Sequence, residues 1–452
     1  MNFTTRDVAL AIGGVLHGSE DQVWCGAEID TRRDVEGKLF FALRGSQTDG
    51  HEYIEQAVAQ GCAAVVSTKP LDVQVPNIQV DDTRVALLEL AKFVRSTYDL
   101  HSAIAITGSV GKTTTKNILG ALLGEGAVIS PRSFNNDLGI PLTLLSATDA
   151  DDLVIEVGAN ACGEIKPLAE LISPNIAILT SIQKAHLEGF GSIEAIVREK
   201  VALLEALPKD GVAIVADDIR FDRSALRCHI RTVGESNDAD IRISTSHDAS
   251  GCAVLDMGQG PVRLQLLGKH NALNGALAIV AANIAYSNKG AQQDYHTLLH
   301  RLANVKGPAG RLHKMRFIDA GVTLIDDSYN ANPASMTAAL ETFAMMRGHR
   351  TVAILGDMLE LGAESDVEHR RLGGVLSNLD LDQVVLVGGA MEATKKVLPD
   401  AIYEEQSDDA TMSRIARSLR KGDLVLLKGS RGLQLERIIE FLQTRPVKVN
   451  VT

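Results

Sequence analysis

The stretch Thr107-Gly108-Ser109-Val110-Gly111-Lys112-Thr113-Thr114-Thr115 constrains this chain more than any other. An apolar, β-prone run, Ala103 to Ile106, precedes it, and Ile118, Leu119, Leu122 and Leu123 follow at helical spacing. Strand, glycine turn and helix in that order bring backbone N–H groups and the positive end of a helix dipole to one point. A phosphate chain is the natural occupant. Lys112 would reach the terminal phosphates and the Thr113 hydroxyl would hold Mg²⁺. The full G-x-x-x-x-G-K-[ST] form has a glycine where this chain has Ile106, and Gly108 takes its place. Nucleotide binding along Thr107 to Thr114 is the first expectation.

At 452 residues the chain is long enough for about three domains of roughly 150 residues each. Its 57 acidic and 45 basic residues leave a net charge of −12, which argues against a nucleic-acid partner. Five scattered cysteines without C-x-x-C spacing suit free thiols in a reducing compartment. No apolar run is long enough to span a bilayer, and the first residues, MNFTTRDVALAIGG, lack a basic segment followed by a signal core. A cytoplasmic protein without stable membrane insertion is expected.

Up to about Asp82 short β-prone and helical runs alternate: Lys38 to Leu43 reads as a strand, Tyr53 to Gln60 as a helix, Ala63 to Ser67 as a strand. The polar, tight segment Arg44 to His51 between them is either a surface loop or a ligand loop. Asp82 or Thr83 can cap a helix beginning at Val85. From Thr83 to Arg311 the apolar runs Ala103–Ile106, Leu153–Val157, Ile176–Leu179 and Val212–Val215 alternate with helical patterns, which argues for a parallel sheet covered on both faces. Ligands of such sheets sit beyond the carboxyl ends of the strands. The less regular Ile230 to Leu267 could add antiparallel strands. After the Pro/Gly break Gly307-Pro308-Ala309-Gly310-Arg311 the runs Val322–Ile325, Val352–Leu355, Val384–Val387 and Leu424–Leu427 describe a further parallel sheet. The expected fold is therefore α/β in three domains: a small mixed domain (1–82), a central P-loop parallel-sheet ATPase domain (83–311) and a carboxyl-terminal Rossmann-like domain (312–452).

Four places could carry chemistry. Glu156 ends an apolar strand, where a buried carboxylate needs a cation or else already stands in solvent. His186, just past Ile176–Leu179, is either a solvated loop histidine or a metal ligand at the sheet's carboxyl edge. Asn271 and Asn274 share one face at the start of a long apolar helix running through Ala285; carboxamides there can pair with adenine, or Asn271 can cap the helix. In Asp326-Asp327-Ser328-Tyr329-Asn330-Ala331-Asn332-Pro333, polar groups crowd a strand end, which suggests a ligand held between domains, with helix initiation by Asn332 explaining part of the pattern.

Taken together, TGSVGKTTT, IEVGAN, AHLEGFGS, HNALN, PAGR and DDSYNANP, in that order along the chain, resemble the Mur ligase family, the ATP-dependent amide-forming enzymes of peptidoglycan precursor synthesis. Within it, DDSYNANPASM, LGDMLELG and NNDLGIPLTLL look like the member that adds D-alanyl-D-alanine, and the D-N-P-R motif of the diaminopimelate- or lysine-adding member is missing from the third domain. The resemblance implies ATP and Mg²⁺, with UDP-N-acetylmuramoyl-tripeptide and D-alanyl-D-alanine as substrates and a monomeric enzyme. It implies Lys112 on the phosphates, Thr113, Glu156 and His186 around Mg²⁺, Asn271 and Asn274 on adenine, and Arg311 on the phosphate chain. Asp327 and Asn330 join the nucleotide contacts, Asp327 on the ribose side. Lys200 matches a lysine carbamylated by CO₂ in the family, although Ala202 and Ser181 stand where the family usually has a glutamate and an asparagine. By composition alone Lys200 would be a solvated helix lysine. Thr31, Arg32, Asp49, Gly50 and His51 match positions facing the uridine diphosphate, and Asn135 and Asn136 a substrate loop. A nucleotide-dependent switch acting on a protein partner, and a folate-polyglutamylating ligase with the same P-loop layout, are the alternatives; the latter leaves DDSYNANP and LGDMLELG unexplained.

Overall fold

The computed structural model describes residues 3–184, 187–346 and 348–443. Its strands form an amino-terminal, a central and a carboxyl-terminal sheet, with a small antiparallel sheet beside the central one. The central sheet has the order Ile241–Arg242, His229–Gly234, Val212–Ala216, Ile176–Leu179, Ser102–Thr107, Asp152–Glu156, Ala127–Ile129, parallel throughout. Every residue of Ser102–Thr107, Asp152–Glu156 and Ile176–Leu179 is buried, as continuous apolar runs require when helices cover both faces. Pairing sets Ile106 opposite Glu156 and Thr107 opposite Leu179. The glycine turn therefore leaves the sheet between two neighbouring strand ends, and Glu156 stands at one of them.

The stretch expected to be irregular divides in two. His229–Gly234 extends the parallel sheet, while Ser244–His247, Cys252–Asp256 and Val262–Leu267 form the small antiparallel sheet. The alternation of Val262, Leu264 and Leu266 marks its inward face, Leu264 and Leu266 being buried. The long helix His270–Asn288 packs on this sheet and on the P-loop helix Lys112–Leu123.

The amino-terminal sheet runs Val15–His17, Asn77–Gln79, Ala64–Ser67, Leu39–Phe41, Ala27–Glu28, antiparallel only at Val15–His17. Helix Thr83–Ser96 begins two residues earlier than its apolar pattern suggests, because Asp82 accepts from the N–H groups of Arg84 (2.7 Å) and Val85 (3.1 Å). Its buried Leu87, Leu90 and Val94 belong to one continuous core that reaches from Phe41 to Leu153 and Ile155. Amino-terminal and central sheets thus share a wall. The carboxyl-terminal sheet has the order His313–Phe317, Val322–Asp327, Asp423–Lys428, Arg350–Gly356, Gln383–Val387, Ile402–Glu404, antiparallel only at its first strand. Helix Pro333–Ala344 starts from a capping box in which Asn332 and Ser335 satisfy each other's backbone N–H. Among the described residues no helix is long and apolar enough to cross a membrane.

Candidate active site

A cleft of about 550 Å³ lies where the carboxyl edge of the central sheet meets the third sheet. Its floor is the glycine turn. Gly108 (φ +151°) and Gly111 (φ +91°) adopt backbone that side chains rarely accept, and a Cβ at either would fall 2.0 Å from Thr180 Oγ1 or 2.5 Å from Asn274 Oδ1. Gly111 caps the P-loop helix without any side-chain bond, which leaves its first N–H groups for a ligand. Lys112 Nζ folds back onto the Gly108 carbonyl at 2.8 Å. Burial lowers its pKa, with Glu156 opposing, so an arriving phosphate supplies the counter-charge this ammonium needs.

Glu156, 2 % exposed, is the hub of the cleft's inner wall. Its carboxylate accepts from Thr113 Oγ1 (2.8 Å) and Asn135 Nδ2 (3.0 Å), and Lys116 Nζ lies 3.7 Å away. Arg311 crosses from the domain junction to donate to Thr113 Oγ1 at 2.8 Å. The carboxylate that the sequence left open between solvent and cation is therefore buried among cations. Asn136, by contrast, spends its side chain on the N–H of Gly139 (2.9 Å), starting helix Gly139–Leu145. Of the two candidate amides, Asn135 is the one that reaches Glu156.

Asn271 and Asn274 line the cleft beside Gly111, joined by a 2.9 Å bond from Asn274 Nδ2 to Asn271 Oδ1. Asn271 donates to the Leu267 carbonyl (2.7 Å) and does not cap its helix, whose N-cap is Lys269. On the opposite wall Asp327 accepts from Lys428 Nζ (2.6 Å) and the Leu312 N–H (3.0 Å), while Lys428 also holds the Asn330 carbonyl (3.0 Å). The Arg311 guanidinium stacks over Tyr329 at 4.4 Å, and the Tyr329 hydroxyl bonds to that of Ser133. Gly310 (φ +73°) and Leu312 (φ +50°) flank Arg311, so the junction turns sharply just where Arg311 leaves it.

Lys200 departs from the composition-based reading. It is 2 % exposed, with its ammonium 6.0 Å from the Phe190 ring. Burial, reinforced by Lys112, pushes its pKa down to about 7. The neighbouring Glu199 turns away, accepting the N–H groups of Gly163 and Ile165, both at 2.6 Å. His186 lies outside the described residues.

The amino-terminal candidates Thr31, Arg32, Asp49, Gly50 and His51 do not line this cleft. Arg32 forks onto Asp30 (2.9 and 2.8 Å), and Asp49 faces His51 Nδ1 (2.7 Å) while His51 Nε2 accepts from the Thr68 N–H (3.2 Å). Sequence reasoning missed Lys116, Ser133 and Lys428. Lys428 carried a signal, a charge ending the apolar run Leu424–Leu427, which is the logic that singled out Glu156. Ser133 carried none.

A P-loop on a parallel sheet, walled by a second sheet domain that sends a tyrosine into the cleft beside an arginine from the junction, defines a multidomain nucleotide-dependent enzyme. Comparison sharpens this. Residues 26–95 match the Mur ligase family catalytic domain, 106–282 the Mur ligase middle domain, and 310–431 the Mur ligase glutamate ligase domain. UDP-N-acetylmuramoyl-tripeptide--D-alanyl-D-alanine ligase of Escherichia coli K12 is 35% identical, with 98% of this chain and 99% of that protein aligned. A crystal structure of MurF from Acinetobacter baumannii superposes with a TM-score of 0.83 at 31% identity, covering 98% and 99% of the two chains. MurF ligase from Thermotoga maritima, solved in complex with ADP, gives 0.78 at 26% identity over 93% and 97%. The chain belongs to the Mur ligase family.

Proposed function

We propose that this chain uses ATP to join D-alanyl-D-alanine to the terminal carboxylate of a UDP-N-acetylmuramoyl-tripeptide, giving the pentapeptide precursor and ADP. The observation that carries the reading is the full-length similarity to ligases of that name, spanning all three domains at 35% identity. The cleft's composition agrees with it. Amide formation from a carboxylate in water is uphill, and carboxylate oxygen is a poor leaving group. Attack of that oxygen on the γ-phosphorus makes an acyl phosphate and ADP; attack of the dipeptide's amine on the acyl carbon then expels phosphate.

In this reading Lys112 and Arg311 take the phosphate oxygens and stabilise the charge that develops on them. Asn271 and Asn274 face adenine, and Asp327 and Asn330 the ribose. Asn135 and Asn136 bound the peptide's path, and Thr31, Arg32, Asp49, Gly50 and His51 face the uridine diphosphate. Thr113 and Glu156 offer hydroxyl and carboxylate oxygens, the hard donors Mg²⁺ takes, and would hold it with His186 and a carbamylated Lys200. Bound there, the metal neutralises charge on the transferring phosphate. An amine with its pKa near 7 is partly neutral and therefore nucleophilic toward CO₂, which supports the carbamate. The third domain, closing about Gly310–Leu312 with Tyr329 on Ser133, would exclude water from the acyl phosphate. We place the boundaries at 82/83 and 311/312, and the enzyme in the cytoplasm as a monomer. Phosphate release from ATP on mixing both substrates tests the reading. Release should require the dipeptide, and turnover indifferent to it, or an acceptor preference for glutamate on a folate, would overturn it.

A further inference from the structure

Lys116 lies one turn into the P-loop helix, outside the motif, and no role above uses it. Its side chain is 1 % exposed. Nζ donates to the Ser130 carbonyl at 2.7 Å and to the Arg132 carbonyl, and its charge is paired with Glu156 Oε2 at 3.7 Å. A lysine buried this far without such partners would be costly. Two of the three belong to one segment. Arg132 within it has φ +45°, a left-handed conformation uncommon for side-chain-bearing residues. The chain is bent at the residue whose carbonyl Lys116 holds. Just beyond the bend, Ser133 meets Tyr329, Asn135 meets Glu156, and Asn136 starts the helix Gly139–Leu145. The nucleotide floor has separate supports: Lys112 rests on Gly108, and the turn leans on Thr180, Ser181 and Asn274.

We propose that Lys116 is a positioning residue that ties segment 130–136 to the P-loop helix. It thereby presents Asn135 and Ser133 to the cleft, and governs use of the peptide substrate rather than affinity for the nucleotide. A tether of this kind acts through orientation: loosened, the segment still visits its bonded position, but for a smaller share of the time. The effect on peptide use rests on the reading of Asn135 and Asn136 given above; the tether itself does not.

Full-length Lys116→Met, which keeps the stem and removes the donors, is compared with Lys116→Arg, which keeps charge and donors. Arg132 is exposed, so trypsin can cut after it once the segment opens, releasing a fragment ending at residue 132 that mass spectrometry identifies. In Lys116→Met, cleavage at Arg132 should accelerate by about tenfold. The KM for the UDP-tripeptide should rise by about tenfold, while the calorimetric Kd for ADP moves less than about twofold. Lys116→Arg should recover much of both changes. Unchanged cleavage in Lys116→Met overturns the tether, and an equal loss of ADP affinity overturns the division between peptide and nucleotide. Should the Met variant not fold, hydrogen exchange on the wild-type chain decides. Amides of 132–136 opening together with 113–116 support the tether; opening far more readily overturns it. Trypsin and ADP binding need no turnover, so a wrong substrate assignment would show separately, as wild-type enzyme inactive with the tripeptide.

Discussion

Two sets of candidate residues, chosen from the same sequence, behave differently in space. The central set, Lys112, Thr113, Glu156, Asn271, Asn274 and Arg311, converges from distant parts of the chain onto one cleft. The amino-terminal set is tied up closer to home: Arg32 to Asp30 two residues away, Asp49 to His51, and His51 in turn to Thr68 in the same small domain. Sequence distance explains the contrast. Thr113 and Glu156 are 43 residues apart and Thr113 and Arg311 are 198 apart, yet each pair is hydrogen-bonded. Folding places such polar groups together at the cost of desolvating them, and a binding function is the economical reason for it. A turn residue bonded two positions on needs no such reason.

That contrast breaks first at Lys112. Lys112→Ala should lower kcat for phosphate release by about 10³-fold, the scale for loss of a charge aimed at the transition state. A near-normal rate would remove the glycine turn from the chemistry and leave the two sets on equal footing.

Glu156→Gln comes next. It keeps the shape, removes the charge and sets an amide among Lys116, Thr113 and Arg311. Activity should fall by about 10²-fold, and the melting temperature should drop, because uncoupling a buried ion pair leaves a desolvated charge at a cost of about 3–5 kcal/mol. Full activity at raised Mg²⁺ would show that Glu156 serves affinity for the metal alone.

Lys200 gives a smaller effect with a definite sign. Its pKa is depressed to about 7 in the fold, so between pH 7 and the ordinary lysine value the unfolded chain binds the extra proton. Burial of Lys200 therefore destabilises the fold fully below pH 7, and the penalty fades as pH rises toward 10. Lys200→Met should melt higher than wild type at pH 6, and by a smaller margin at pH 9, in thermal scans of both. A margin independent of pH would mean that the amine keeps its proton in the fold.

What the sequence made legible follows the same division. Ile176–Leu179 and the P-loop strand stood out because full burial demands unbroken apolar runs, and the glycine turn because few residues tolerate its backbone. Edge strands such as Val15–His17, Ala27–Glu28 and Ile402–Glu404 did not, since runs of two or three residues are too short to carry a period. Lys116 and Lys200 were hidden for another reason. A lysine on an amphipathic helix reads as solvated, and only the tertiary packing of the 130–132 carbonyls around one and Phe190 beside the other shows that it is buried. Asn135 and Asn136 are adjacent and chemically identical, so which amide reaches Glu156 depends on a turn that the sequence does not fix.

Arg32 tests the weaker half of the comparison. Its guanidinium is exposed and, among the described residues, bonded to Asp30, whose pKa it lowers to about 2. Exposed pairs of this kind contribute little to stability, so Arg32→Ala should leave the melting temperature unchanged. If this surface nevertheless receives the uridine diphosphate, a fork of N–H donors beside a diphosphate matters for binding and not for the distant chemistry. The KM for the UDP-tripeptide should then rise by about three- to tenfold with kcat held, and the rise should shrink at high salt. An unchanged KM would return Arg32 to the protein's ordinary surface, and the diphosphate would have to be sought closer to Arg33, whose guanidinium lies 4.6 Å over Phe134 and so already bridges the amino-terminal domain to the segment that Lys116 holds.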